Sequence, residues 1–422
     1  MQKKIFSIKK ILFLLLSILI IFLSIFFNIA GIKDQLNERY PNFKLVKELL
    51  SKKSILENLN NDYNVKFLPN TQFLKLDFEK KKLNFPKNLN ENKPETNKIK
   101  YSWYKSFYIE LIENNILIIN YLGKIYKANI KDALNREKDS LDLKEISSNL
   151  SVVKVLDTFI YGDYLYVSFI GLKNNCKNLN IAIAKIDTLN LYFENFFASK
   201  ECGDYILAGR MQFYEHNDSK GLLLTTSNHP NNLPDDKPQN EDSIFGKILF
   251  IDFKEKKPIF FSKGHRVSQG LYAEKNLILS TEHGPRGGDE INRVIFNKNY
   301  GWPIASYGEK YDVEKPIKPN YFKNHSSLGF EEPIFAFVPS IGISEIIKLP
   351  NNFSDNFVDN FFVSSLNGRS LYRIKFNENY TKVIFNEKIF IGERIRDLKY
   401  YSKMNIVLLA LEEKGKLGIL SK

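Results

Sequence analysis

The chain has 422 residues, 43% of them hydrophobic and 14% aromatic, with 34 Phe and 22 Tyr. That length exceeds one small domain and fits a large all-β domain with appendages, and the aromatic mix suits half-buried pleated surfaces. The formal charge of +13 comes from lysines scattered among Asp and Glu, so a solvated surface is expected and a nucleic-acid partner is not.

At the N-terminus Lys3, Lys4, Lys9 and Lys10 precede an uncharged apolar run over 11–30. A helix of that length matches the ~30 Å hydrocarbon core. The upstream lysines would stay cytoplasmic and send the rest across the membrane. Residues 1–30 are therefore expected to be a transmembrane signal anchor, single-pass in the inner membrane, with the bulk of the chain in the periplasm. A cleaved signal peptide is the alternative, for which Asn28-Ile29-Ala30 is a poor small-x-small site. Next, Leu36, Tyr40, Phe43, Val46, Leu49 and Leu50 have helical spacing, with Pro41 near a start position. Residues 31–99 read as a short helical stalk, a strand-like pair within 61–85, and an Asn-, Lys- and Pro-rich linker.

From residue 100 to 422 the pattern is short apolar strands with tight turns, for example 158–161, Gly162-Asp163, then 164–170. No long helical periodicity intervenes, which argues against a parallel α/β sheet. The stretch is too long for one sandwich and would suit six four-stranded blades of about 50 residues each. The fold class expected is all-β, a six-bladed β-propeller behind an N-terminal transmembrane helix and stalk. Cys176 and Cys202 are the two cysteines. In an exported chain they could close one loop; two unrelated buried thiols are the alternative.

The densest polar chemistry lies in 281–303. Glu282, His283, Arg286, Asp289 and Glu290 stand among three glycines and a proline, directly after an apolar strand. Hard oxygen donors and exposed turn carbonyls suit Ca²⁺; a polar loop stitched by salt bridges is the alternative.

The string Gly264-His-Arg-Val-Ser-Gln-Gly-Leu271, then Glu282-His-Gly-Pro-Arg-Gly-Gly-Asp-Glu290 and Asn299-Tyr-Gly-Trp-Pro303, resembles the glucose/sorbosone dehydrogenases. That family includes soluble quinoprotein glucose dehydrogenase and the aldose sugar dehydrogenases. Gly209-Arg210, 222–226, 246–249, Pro339-Ser-Ile341, Ser364-Ser-Leu366 and Arg394-Ile-Arg-Asp397 match in order. The resemblance covers 100–422 and implies a six-bladed propeller holding pyrroloquinoline quinone (PQQ) and Ca²⁺ in a central cleft. It implies that the Gly284 and Pro285 carbonyls ligate the cofactor-site Ca²⁺. Asp289, Glu290 and the Tyr300 carbonyl would belong to a second, structural Ca²⁺. Arg394 and Arg396 would face the cofactor's carboxylates. Residues i and i+2 of a strand share a face, and guanidinium forks suit carboxylates; two surface arginines on an edge strand are the bland alternative.

The implied activity is hydride transfer from the hydroxyl of a sugar or related alcohol to the quinone, with a histidine as base and an unidentified electron acceptor. The family's histidine position falls on Ile206, which cannot take a proton. Ser227-Asn228-His229-Pro230 replaces another family stretch, and His229 is a weak candidate for a displaced base. Asn367-Gly368, Ile343 and Glu345 also depart from the pattern. His265 and His283 read as loop-fixing residues, His216 and His325 as surface ones. Three readings stay open: a sugar dehydrogenase with an altered base, a non-catalytic calcium-containing ring that binds a ligand or partner, and a Ca²⁺-assisted hydrolase.

Overall fold

Each strand in 107–421 is short, and most are joined to the next by a tight turn, so neighbours pair antiparallel. The computed structural model describes residues 76–86, 105–187, 189–203, 206–228, 236–310 and 321–422. Their strands form six separate sheets of four or five strands. The first strands of successive sheets are Phe107–Ile112, Lys154–Tyr161, Met211–His216, Ser268–Glu274, Ile343–Lys348 and Ile395–Tyr401. Each of these touches the next, and the last touches the first. The sheets are therefore blades around a closed ring, a six-bladed β-propeller whose axis is walled by these inner strands.

The sequence alternation explains the packing. Middle strands are sandwiched between blades, so both faces are buried and the strand reads as an apolar run. In Ser219–Thr225, Leu222 and Leu224 face one interblade cluster while Leu223 faces another. In Asn115–Asn120, Ile116 and Ile118 face one cluster while Leu117 and Ile119 face another. Six such clusters occur, one at each blade interface. The ring is closed by the strand Asp77–Asn84, which pairs antiparallel with Lys416–Ser421 as the fourth strand of the last blade and carries Ser140–Asp142 parallel on its outer edge. The propeller therefore begins upstream of residue 100, inside the stretch expected to be stalk and linker.

The expected transmembrane helix and helical stalk require correction. Among the described residues no helix is long and apolar enough to cross a membrane. The α-helix Ile130–Leu134 has five residues, about 7.5 Å against the ~30 Å a span requires. The segments that prompted the expectation, 1–30 and 31–60, lie outside the described residues. Among the described residues the fold is the all-β ring with no membrane-spanning helix, and the inner-membrane location and membrane partnership deduced from that helix are withdrawn.

Cys176, at the start of Cys176–Lys185, is joined to Cys202 by a disulfide with a Cα–Cα distance of 5.3 Å. It ties the third strand of the second blade to the segment that leads into the inner strand of the third.

Candidate active site at the mouth of the ring

The site is built by a repeated irregularity. Four of the six inner strands break register near their starts, between Val155 and Asp157, Ser268 and Gly270, Ile343 and Ile346, and Ile395 and Asp397. A β-bulge re-aims side chains that regular pleating would send elsewhere. Gln269, Ser344, Glu345 and Arg396 sit at these breaks, and three of them are linked. Arg396 Nη1 donates to Gln269 Oε1 at 3.1 Å, and Ser344 Oγ donates to the Arg396 carbonyl at 2.9 Å.

The two arginines singled out in the sequence converge on one carboxylate. Arg394 Nε donates to Glu412 Oε1 at 2.9 Å and Arg396 Nε to Glu412 Oε2 at 2.8 Å. Burial acts to raise the Glu412 pKa, but the two guanidiniums outweigh it and hold it at about 2. Lys154, at the start of the second blade's inner strand, adds a third cation. Burial and neighbouring Arg396 pull its pKa down to about 8, with Glu412 opposing. Sequence reasoning missed Lys154; its residue type carries no motif, and only the ring brings it here.

A fourth cation joins from the motif of the fourth blade. Arg266 Nη1 donates to the carbonyls of His283 at 2.8 Å and Gly284 at 2.7 Å, with its guanidinium over Trp302. The His283 Nε2–H donates to the Ile343 carbonyl. Burial lowers its pKa, Asp289 raises it, and Arg266 and Arg396 lower it further. The structure thus brings the Gly284-Pro285 turn and the Arg394/Arg396 pair to one mouth. The turn itself is fixed by close backbone approach: Gly288 has φ +70, and a Cβ there would run into the Gly308 and Tyr307 backbone.

The two acids of the motif divide. Asp289 is fully engaged as a staple: Oδ1 accepts from Gly284 N at 3.0 Å, and Oδ2 from Ile341 N and Ile343 N at 2.9 Å each. Those bonds bind the turn to the fifth blade. Glu290 is buried with a single weak side-chain donor, Asn292 Nδ2 at 3.4 Å. Burial and the facing Glu282 carboxylate push its pKa well up.

Ile206 is buried and belongs to the apolar cluster between the second and third blades, with Leu156 and Phe245. His229 lies outside the described residues. The chain just before it is at the mouth, since Ser227 bridges Val267 and Asn228 N donates to the Arg266 carbonyl at 2.8 Å. His265 is a buried strut between Ser262 and Glu282. His325, expected at the surface, is 1% exposed.

One level deeper the charge reverses. Arg210 Nη1 lies 3.0 Å from Asp157, 2.6 Å from Glu345 and 3.5 Å from Asp397. Lys399 meets Glu110 at 2.9 Å. Burial pushes Glu110 and Glu345 up to about 7 and Asp157 up to about 6, with Lys399 opposing the first and Arg210 the other two.

The sequence pattern of the family described as glucose/sorbosone dehydrogenase matches residues 113–419. The chain belongs to that family. It is 29% identical over 226 residues to an aldose sugar dehydrogenase, YliI, of Escherichia coli K12, covering 50% of this chain and 58% of that one. It is 35% identical over 78 residues to quinoprotein glucose dehydrogenase B of Acinetobacter calcoaceticus, covering 18% of this chain and 14% of that one. The matches thus span less than two thirds of these relatives' own lengths. Among solved structures, the apo form of the E. coli soluble aldose sugar dehydrogenase superposes with a TM-score of 0.62 at 17% identity, over 82% of this chain and 99% of that one. A crystal structure of a glucose dehydrogenase gives 0.64 at 21% identity, over 75% and 96%. These superpositions establish the shared propeller.

The family's cofactor can be tested against the residues present. Four cations gathered at the mouth, three of them at Glu412 and the fourth at the Gly284 turn, suit a polycarboxylate such as PQQ. For the Ca²⁺ expected at Gly284 and Pro285 the fit is partial, because the Gly284 carbonyl already accepts from Arg266 and a cation there would have to displace that guanidinium. Among the described residues no group of three His, Cys, Asp or Glu forms a metal cage.

Proposed function

We propose that this member of the glucose/sorbosone dehydrogenase family is a PQQ-dependent dehydrogenase acting on a hydroxyl of a sugar or related alcohol. The observation that carries the reading is the convergence of Arg394, Arg396, Lys154 and Arg266 beside the Gly284-Pro285 turn. When bound, the quinone supplies the hydride acceptor. The guanidiniums would hold its carboxylates, with Glu412 fixing both Nε atoms so that the arginines' outer edges are presented in a set direction. Gln269, anchored on the Leu207 carbonyl at 2.7 Å, holds Arg396 from the other side.

The hydroxyl proton cannot go to Ile206. Two groups stand in line for it: His229, which follows the segment bridged to Val267, and Lys154, whose ammonium gives up its proton near pH 8. Removing the working base costs ~10²–10⁴-fold in rate. A second reading, a ring that binds a ligand without turnover, is favoured by one observation: the base position is not merely substituted but packed into the core.

Reconstitution with PQQ and Ca²⁺, followed by cofactor absorption and a dye-linked assay on a sugar panel, tests both. A perturbed quinone spectrum with turnover supports the dehydrogenase. A perturbed spectrum without turnover on any sugar supports the binding ring. An unperturbed spectrum removes the quinone from either account. With turnover in hand, H229A and K154M identify the base.

A further inference from the structure

The rim of the mouth is uneven in charge. On the side of the third and fourth blades its cations are paired internally: Lys263 with Glu241, Lys298 with Glu331 and Lys323 with Glu309. The sixth, first and second blades differ. Lys173 and Lys177, at the apex of the hairpin formed by Tyr164–Lys173 and Cys176–Lys185, are exposed, as are Lys200 and Lys414. Among the described residues none of these four pairs with a carboxylate. Two acids of that arc are already engaged, Glu201 by Ser243 and the Ile244 N–H, and Glu413 by Arg369. Unpaired positive charge is thus displayed on one arc of the opening, next to the blades that supply Lys154, Arg394 and Arg396.

The same arc carries exposed apolar side chains. Leu122 is 44% exposed, Val153 38% and Leu172 60%. Backbone hydrogen bonds hold their segments together: Val155 N donates to the Tyr121 carbonyl at 2.8 Å, and Val153 N to the Ile170 carbonyl at 2.9 Å. The turn at Gly123 packs on Val152, whose side chain would lie 3.0 Å from an added Cβ. The Cys176–Cys202 disulfide braces the hairpin apex, so its two lysines stand on a fixed support. Apolar groups within a charged rim are the usual anatomy of a protein interface. Val153 directly precedes Lys154, so a protein seated on this arc lies against the mouth.

We infer that this arc is the docking surface for a small acidic electron-carrier protein. That the partner is an electron carrier rests on the dehydrogenase reading. On that reading each turnover leaves two electrons at the mouth, and an acceptor must come to them from outside. Two carriers take one electron each in turn, and two protons pass to solvent, which restores the oxidised cofactor. The charge on the arc is of one sign, so an acidic protein is steered to it and a basic one is repelled. The apolar part is small, which suits the low-area, quickly released interfaces of electron transfer, below ~1,200 Å². A second copy of this chain fits poorly, because a two-fold contact would set the same lysines against each other.

The test mixes the full chain, supplied with PQQ and Ca²⁺, with an acidic c-type cytochrome, and with a basic cytochrome c as control. Binding is read by calorimetry at low and at physiological ionic strength, and cytochrome reduction by absorption after sugar is added. The expected result is that the acidic cytochrome binds, loses affinity as salt screens the charges, and is reduced, while the basic one does neither. K173E/K177E should slow its association by about tenfold or more and leave the PQQ titration and the dye-linked rate unchanged. K200E/K414E, on other elements, should act in the same direction and carries the test if the hairpin variant misfolds. Binding is measured without turnover, so an enzyme inactive on every sugar and dye sinks the dehydrogenase reading, and the cytochrome titration still decides the surface. The inference is overturned if the acidic cytochrome does not bind, if both charge-reversed variants bind it as tightly as the wild type, or if the basic cytochrome binds equally well. It is also overturned if the arc takes heparin but not the cytochrome, or if V153D splits a dimer of this chain.

Discussion

The mouth of the ring and the level beneath it are built from the same six inner strands, yet they carry opposite charge. At the mouth, Arg394, Arg396 and Lys154 surround the carboxylate of Glu412, and Arg266 stands against the Gly284 turn. Beneath it, Asp157, Glu345, Asp397 and Glu110 surround Arg210 and Lys399. The difference separates recognition from construction. A cationic excess at an opening can be completed by an anionic ligand. Sealed inside the fold, three of the deep carboxylates are pushed towards neutrality by burial and, to a lesser degree, by one another, while the two guanidiniums drive Glu412 the other way.

The largest effect that would break this division comes from Arg210. Removing one partner of a buried ion pair typically costs ~3–5 kcal/mol, because the remaining charges are left uncompensated. R210M should lower the unfolding free energy read from urea titration by that amount and leave little folded protein at 37 °C. An unchanged midpoint would mean that the deep network is not structural.

The acid side of the stability curve tests the mouth. Glu412 has a folded pKa of about 2 against an ordinary value of 4.5. A depressed carboxylate contributes stability that is present above its unfolded pKa and is lost as pH falls through the folded one. The contribution is roughly 3 kcal/mol at 1.36 kcal/mol per pKa unit. The stability difference between wild type and E412Q should be full at pH 6 and shrink between pH 4.5 and 2, as read by denaturant titration. A difference that persists at pH 2 would assign the effect to packing rather than charge.

Substitution of one mouth arginine should cost less stability than R210M, because Arg394 still holds Glu412. Arg396 is partly exposed, at 15% of its side chain, and R396Q keeps the contact with Gln269 within reach. A charged hydrogen bond is worth ~1.5–3 kcal/mol. R396Q should therefore weaken PQQ by about ten- to a hundredfold, measured by absorption titration, and should lower stability by only part of the roughly 3 kcal/mol that Glu412 draws from its two guanidiniums. A large fall in midpoint with unaltered quinone affinity would reverse the roles assigned to the two levels.

How much of this was legible in the sequence follows from where the information lies. The blade strands were, because residues such as Leu222, Leu223 and Leu224 must each be apolar to face a neighbouring blade. The strand that closes the ring was not. Asp77–Asn84 carries three consecutive lysines that read as a solvated run. Lys81 is nonetheless 3% exposed, its ammonium held by the Asn135 and Lys138 carbonyls and paired with Glu79. The motif residues at 264–303 were visible as a set, but their division of labour was not. Only tertiary hydrogen bonds distinguish Asp289, a backbone staple, from its neighbour Glu290, an orphaned acid. Bulges leave no residue signature at Ser344, Glu345 or Gln269, so the side chains they redirect could not be placed in advance.

The smallest effect should come from Glu345, and it sharpens the comparison most. A carboxylate whose folded pKa is raised holds a proton that the unfolded chain releases earlier. Stability therefore falls as pH rises from the unfolded pKa, near 4.5, towards the folded one, about 7. E345Q removes that penalty but also loses the 2.6 Å contact with Arg210. The two changes oppose each other, and Asp157 and Asp397 remain to balance the guanidinium. The net change at pH 7 should then be small, on the order of 1 kcal/mol, about one pKa unit's worth. The slope of stability against pH between 5 and 7 should flatten measurably. A steep loss at every pH would show that Arg210 depends on Glu345 and that the deep level is not over-supplied with negative charge. An unaltered slope would place the retained protons on Glu110 and Asp157 instead.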